Sequence, residues 1–308
     1  MNNISSCSLR KFQHDERCRF RNITCEGIRV VIRLTYRCDL ACPHCLVGNV
    51  PSSAECNIHT WKKILTELPL IKAKKVLLTG GEPLLHQDVL KITEWIANMN
   101  ISIDLNSNLQ KMTKSMIYDF KKAGLSEISV SIEGPQKLHD KLHGKDGAYY
   151  QLLKAIDWAN NAGIKIDAAC CLTKANSHYI FQLLSDIERL PIQSFTISRL
   201  MPIGHGFKNQ QESLKQYELN HIYHELTTNW LQQIKIPVRI VGLLGFPCDK
   251  DCQRGYSIIG ITPDGKVIDC VLSREHPNQI PHPKDVGLFE TVKKLRHSLS
   301  KNNFAMCF

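Results

Sequence analysis

No apolar run in this 308-residue chain approaches the ~20 residues needed to cross a bilayer, so membrane-spanning functions are set aside. The opening stretch MNNISSCSLRKFQHDERCRF has no apolar signal-peptide core, and a cytoplasmic chain is expected. No run of five or more basic residues occurs either. The formal charge is +10, but its lysines are scattered singly and in pairs. A nucleic-acid partner is therefore not expected, whereas an acidic peptide or an anionic cofactor suits the charge. No low-complexity linker divides the chain. The 13 cysteines are odd in number and follow no secretory signal. That excludes an ordinary disulfide framework and points to metal or redox chemistry.

What is present is a rhythm. Short β-branched runs at Ile28–Leu34, Lys75–Thr79, Ile101–Leu105, Glu127–Ile132, Ile164–Ala169 and Ser194–Arg199 read as strands. Amphipathic patterns at Thr60–Leu68, His86–Asn98, Lys114–Ala123, Ala148–Ala162 and Asn176–Arg189 read as helices. Gly124 and Gly163 stand where helix C-caps belong. Alternation of this kind predicts an α/β fold with a parallel sheet and helices outside, open or closed into a barrel. Beyond about Ser213 the rhythm changes to one long helical pattern (Leu214–Ile234), a short strand (Pro237–Val241) and the hairpin YSIIGITPDGKVIDC. The Pro-Asp-Gly of that hairpin suits its turn. A boundary near residue 212 follows, giving an extension over 1–27, a main domain over 28–212 and a smaller one over 213–308.

The stretch CDLACPHC (38–45) packs three cysteines at C-x3-C-x2-C onto the loop after the first strand. Three thiolates so close suit an iron–sulfur cluster, whose irons are held by Cys sulfur. A structural zinc site normally closes with four ligands. Here that would require borrowing Cys56 or His44, and this alternative stays open on spacing alone. A cluster with only three protein ligands leaves one iron open for substrate or cofactor.

CDLACPHC resembles the cluster loop of the radical S-adenosylmethionine (SAM) enzymes. LLTGGEPLL (77–85) resembles the family's GGEP motif. The segment beginning SIEGPQKLHDKLHG (131–144) resembles its fourth-strand motif, and ISRLMPIGHG (197–206) its sixth-strand end. The four stand in the family's order over residues 28–206. The resemblance implies a partial (β/α)6 barrel with the site at the C-terminal strand ends. It implies a 4Fe–4S cluster on Cys38, Cys42 and Cys45, with the amine and carboxylate of SAM chelating the fourth iron. A 5′-deoxyadenosyl radical would then abstract hydrogen from the substrate.

The same resemblance suggests roles for single residues. Gly80 and Gly81 would let the backbone approach the cofactor. Glu82 would accept a charge-assisted bond from the SAM ammonium, and Pro83 would stiffen the turn. Asn108 is a cofactor candidate, Ser131 and Glu133 would face the ribose, and Arg199 would meet the SAM carboxylate. His44 takes a position near the adenine. Glu133 departs from the family's usual Asp, and Leu109 from a usual Gly. His139 and His143, four apart, fall in what resembles an ordinary loop, so no metal role is expected of them. Neighbouring Cys170 and Cys171 on a strand face opposite ways, so at most one points inward.

CDKDCQRGYSIIGITPDGKVIDC (248–270) resembles the start of a SPASM or shortened twitch domain, which carries an auxiliary cluster. Only Cys307 follows Cys270, so the resemblance implies a twitch-like single 4Fe–4S cluster on Cys252 and Cys270, completed by Cys248 and Cys307. Cys307 has a second reading, as hydrogen-atom donor. The expected activity is radical modification of a ribosomally made peptide. Alternatives are rearrangement or oxidation of a small molecule (nucleotide, sugar or tetrapyrrole) and a cluster-bearing sensor without turnover. A flavodoxin or ferredoxin would supply electrons.

Overall fold

A computed structural model of the chain describes residues 27–48, 55–244, 256–270 and 280–301. The chain runs through β1 (Ile28–Arg33), α1 (Ile58–Leu65), β2 (Ala73–Thr79), α2 (Val89–Ala97), β3 (Ser102–Asn106) and α3 (Lys114–Lys122). It continues with β4 (Glu127–Ser131), α4 (Gln136–His143), α5 (Ala148–Asn161), β5 (Lys165–Leu172), α6 (Ile180–Ile187) and β6 (Ser194–Arg199). Then come α7 (His205–Lys208), α8 (Gln216–Glu225), β7 (Val238–Val241), β8 (Ile258–Ile261), β9 (Val267–Ile268), α9 (Pro283–Val286) and α10 (Leu288–Lys301).

Period-two alternation makes the sheet two-faced. Val30, Ile32, Val76, Leu78, Ile103, Ile128, Ile166, Phe195 and Ile197 are fully buried and pack beneath helix residues such as Trp61, Ile92, Ile117, Leu152 and Leu184. Each such burial contributes roughly 1.5–3 kcal/mol. The helices begin where side chains satisfy orphan amides: Asn57 accepts from the Thr60 N–H at 2.9 Å and Thr113 from the Met116 N–H at 3.2 Å. Gly124 and Gly163, at positive φ, close α3 and α5 as the sequence predicts.

All neighbouring strands run parallel except β8–β9, in the order β7-β6-β5-β4-β3-β2-β1-β8-β9. Strands lie ~4.8 Å apart, so in a flat sheet the ends of β1 and β6 would be ~24 Å apart. The His205 ring, six residues past β6, lies 2.9 Å from the carbonyl oxygen of Cys42, nine residues past β1, so the loops after these two strands meet across that span. The sheet is that of a partial barrel, and the loops at its C-terminal strand ends converge on one mouth.

The helix-free face holds charge at the other end. Asp104 meets Lys75 at 2.6 Å and Arg29 at 3.6 Å, while Lys75 also reaches Glu127 at 3.4 Å. Asp167 accepts from Ser194 at 2.6 Å and pairs with Arg239 at 3.0 Å. One polar band thus crosses seven strands.

Three features differ from the expected organisation. Strands from beyond residue 212 belong to the same sheet: β7 pairs with β6 at one edge, and β8 with β1 at the other. The open edges of a partial barrel are what these strands cover. The HDKLHG stretch (139–144), expected as loop, lies in α4, which Gly144 ends in the left-handed region. The long helical pattern after Leu214 resolves into α8 and a π turn over Leu226–Trp230.

Candidate functional site

The cysteine loop rises from β1 and is zipped to the loop after β2. The Gly81 N–H donates to the Thr35 carbonyl at 2.7 Å, and the Glu82 N–H to the Arg37 carbonyl at 2.8 Å. A Cβ on Gly80 would lie 2.3 Å from the Thr35 oxygen, and one on Gly81 2.2 Å from the Arg37 oxygen. The paired glycines are thus needed for backbone packing against the stem of the cysteine loop, where the sequence reading gave them a cofactor. Arg37 is pinned by Glu55 at 3.0 and 3.1 Å and by the Leu85 carbonyl at 2.9 Å. Glu55 also bonds the Thr35 hydroxyl.

Glu82 is buried and heads the turn at Pro83–Leu85. Its carboxylate accepts from the Leu84 N–H at 3.0 Å, the Ser107 hydroxyl at 2.7 Å and the Asn108 N–H at 2.7 Å. Burial pushes its pKa up to about 7 despite those donors. Glu82 therefore ties the end of β2 to the end of β3.

Each cysteine of the loop has a nitrogen at hydrogen-bond distance from its sulfur, an N–H at Cys38 and Cys45 and a histidine ring nitrogen at Cys42. The Asn108 Nδ2 lies 3.9 Å from Cys38, the His143 Nδ1 3.4 Å from Cys42, and the Gly48 backbone N 3.5 Å from Cys45. Burial raises the pKa values of Cys38 and Cys42; Glu82, Asp39 and Cys45 raise Cys38 further, and Cys45, Glu133 and Cys38 raise Cys42. Three clustered thiols, each facing a donor that suits a thiolate, fit an iron–sulfur cluster. Cys56, one of the two residues a zinc site could borrow, packs elsewhere. Its N–H bonds the Pro263 carbonyl at 2.8 Å, and its sulfur lies against Gly265 at the β8–β9 turn.

Other strand ends complete the mouth. Glu133 is fully buried, and its carboxylate meets His44 Nε2 at 3.2 Å and the Cys171 N–H at 2.9 Å. Burial opposes both charges. The pair nonetheless holds His44 above the ordinary histidine value and Glu133 below the carboxylate range. Glu133, which the resemblance turns toward a ribose, is paired with His44 here. The rings of His139 and His143 stack at 4.0 Å, and burial holds His139 down at about 3. Ser131 ends β4, half-buried, on the face of Cys171, while Cys170 faces the helices. Arg199, ending β6, donates to Gln216 at 3.2 Å.

Sequence reasoning missed the strap from the sixth strand. His205 donates its N–H to the Cys45 carbonyl at 2.9 Å, and its ring Nδ1 bonds the Cys42 carbonyl. Asn209 donates to the Pro43 carbonyl at 3.1 Å. The quoted GHG stretch was the available signal. Beside this strap a cleft of about 270 Å³ is lined by Pro43, His44, Leu142, Thr173, Leu200 and Asn209, among others. Its lining mixes apolar side chains with the amides of Asn209 and Gln211 and the charged Lys141 and Glu212.

Cys270 is buried two residues beyond β9, at the base of the hairpin. The strand register places that base level with Arg29, at the start of β1. Over the five residues from Arg29 to Leu34 a strand rises ~16 Å, so Cys270 sits toward the end of the sheet away from the cysteine loop. Cys248, Cys252 and Cys307, and the extension over 1–26, lie outside the described residues. No described helix is long and apolar enough to cross a membrane.

Residues 32–187 match the sequence model of the Radical SAM superfamily. The chain is 26% identical over 197 residues to the AdoMet-dependent heme synthase of Oleidesulfovibrio alaskensis, covering 62% of this chain and 51% of that protein. It is 22% identical over 252 residues to the PqqA peptide cyclase of Bradyrhizobium diazoefficiens, covering 79% and 66%. It thus spans about half to two thirds of these relatives. In structure it resembles Streptococcus suis SuiB bound to precursor peptide SuiA, with a TM-score of 0.75 at 18% identity over 90% of this chain and 67% of that one. It also resembles anSMEcpe with bound AdoMet, at 0.68 and 17% over 90% and 84%. At these identities the structural likenesses show the fold.

Proposed function

The chain belongs to the Radical SAM superfamily, and from that premise we propose an enzyme that removes a hydrogen atom from a peptide substrate. The observation that carries this reading is the trio Cys38, Cys42 and Cys45, each sulfur facing its own nitrogen at the barrel mouth. These residues would hold a 4Fe–4S cluster with one iron left for the amine and carboxylate of SAM. When bound, the two cofactors supply one-electron cleavage of SAM and the hydrogen-abstracting power that follows from it.

The chain's own residues do the rest. The three thiols must give up their protons on loading, and the raised pKa values of Cys38 and Cys42 make uptake favour higher pH. His205 and Asn209 hold the loop carbonyls, so that its sulfurs stay aimed. Glu82 orders the Ser107–Asn108 backbone beside the loop and presents a buried carboxylate near where the SAM ammonium would lie. Ser131 and Arg199 are assigned to the sugar and carboxylate sides, and the cleft beside His44 to the adenine. A small acidic flavodoxin or ferredoxin is assigned as electron donor, in keeping with the +10 charge.

Peptide is favoured over a small molecule because the peptide-cyclase match runs further along this chain than the heme-synthase match. The heme-synthase likeness supports a tetrapyrrole as the second reading. We assign Cys270 to an auxiliary cluster with Cys252, Cys248 and Cys307; its support is the burial of Cys270 at the hairpin base.

The test is anaerobic reconstitution followed by reduction with SAM. The wild type should hold about eight irons, four per cluster, and form 5′-deoxyadenosine. The Cys38→Ala, Cys42→Ala, Cys45→Ala triple variant should hold about half the iron and form none. A wild type that keeps its iron but forms no 5′-deoxyadenosine overturns the enzyme reading. One that never exceeds about four irons overturns the auxiliary cluster.

A further inference from the structure

His143 closes α4 and is buried. Its ring is fixed on two sides, stacked on His139 at 4.0 Å and met edge-on by His44 at 6.1 Å. His139 is itself anchored, because its Nδ1 accepts the Glu133 N–H at 3.3 Å and its ring meets Tyr149 at 5.3 Å. Asp140 pins the turn that follows, accepting from the Gly147 and Tyr149 N–H groups at 2.9 and 2.7 Å. The histidine therefore has little freedom to turn its Nδ1 away from Cys42 Sγ, 3.4 Å distant.

The other ring nitrogen, Nε2, is buried and has no hydrogen-bond partner among the described residues. An iron-bound thiolate can only accept a hydrogen bond. A neutral ring with its proton on Nε2 would leave that proton unpaired and set a lone pair against the sulfur. The ring satisfies its surroundings best with the proton on Nδ1, donated to Cys42. Of the three N–H groups that face the cysteine sulfurs, this one is the shortest and comes from a buried side chain; Asn108 stands at 3.9 Å and Gly48 offers backbone. Hydrogen bonds to cluster sulfurs stabilise the reduced, more negative state and so raise the reduction potential.

We propose that His143 is a positioning residue that donates its Nδ1–H to the Cys42 sulfur and thereby sets the reduction potential of the cluster on Cys38, Cys42 and Cys45. This rests on the cluster assignment above. His143 is neither an iron ligand nor part of a second metal site; it acts through Cys42.

The experiment is an EPR-monitored redox titration of the reconstituted full chain without SAM. His143→Leu should keep four irons at this site but shift its midpoint to a more negative potential. Asn places an amide N–H where the imidazole Nδ1 stood, so His143→Asn should bring the potential back toward the wild-type value. An unchanged potential in His143→Leu overturns the inference, as does an Asn variant indistinguishable from Leu. Should the Leu variant fail to assemble, the wild type decides. Its reduced cluster, prepared with ¹⁵N-histidine, should show a weak histidine nitrogen coupling by pulsed EPR, and absence of that coupling overturns the inference. A wild type that takes up no iron on these cysteines instead overturns the cluster assignment itself.

Discussion

At the scale of the residue, backbone contacts decide more than side-chain identity. Gly81→Ala would drive a Cβ to 2.2 Å from the Arg37 oxygen, and a carbonyl in a hydrogen-bonded stem cannot yield. We expect iron at the Cys38–Cys45 site to fall by more than half, measured by iron content and 4Fe–4S absorbance. Glu82→Ala would strand the Leu84 and Asn108 N–H groups and the Ser107 hydroxyl. Each buried unsatisfied group costs about 1–3 kcal/mol; water entering the space left behind offsets part, so a net loss of about 2–4 kcal/mol in denaturant melts is expected. SAM affinity should fall roughly ten- to a hundredfold, the loss expected for a charge-assisted bond. Unchanged affinity in a folded variant would detach Glu82 from SAM. The three cysteines and GGEP were legible in the sequence because their chemistry is local. The Glu133–His44 pair and the His205 strap were not, since each joins residues from distant strand ends that only the curl of the sheet brings together.

At the scale of the element, β6 was read to the residue and the other five barrel strands to within a few, because apolar alternation marks them. Helix α4 escaped for a physical reason: the residues it buries include His139, Asp140 and His143, which carry no apolar periodicity. The strands' charged band carries a titration. Glu127 is pushed up to about 7 by burial and by the hydrogen bond it shares with Asp167, whose own value is held low. Glutamate titrates at about 4.3 when unfolded. Since the folded chain holds that proton more tightly, the stabilisation is complete below pH ~4 and is lost as pH rises through 7. Glu127→Gln stays neutral and lacks this dependence. Its melting temperature relative to wild type should therefore climb between pH 5 and pH 8, read by thermal scans at each pH. A constant difference would show that Glu127 is ionised throughout.

At the scale of the molecule, the expected boundary near residue 212 does not divide the sheet. Both edges of the six-stranded core are covered by strands from beyond it. A fragment ending at 212 should therefore aggregate or remain unfolded, whereas two independent domains would leave it soluble with native circular dichroism. The complete chain should lose tryptophan fluorescence and far-ultraviolet dichroism in one coincident transition. The hairpin was legible from its turn chemistry. Its docking on β1 was not, because nothing in IRVVIR names the partner of its outer edge. That pairing also has a consequence for the chain while it is being made. About 230 residues separate β1 from β8, and at ~5–20 residues per second the ribosome takes roughly ten to fifty seconds to deliver one to the other. Throughout that interval one of the earliest strands to emerge waits with an apolar edge unpaired, open to any other nascent chain nearby. The harvest of folded protein is thus exposed to translation speed and to whatever shields IRVVIR in the meantime, as well as to how stable the finished barrel is.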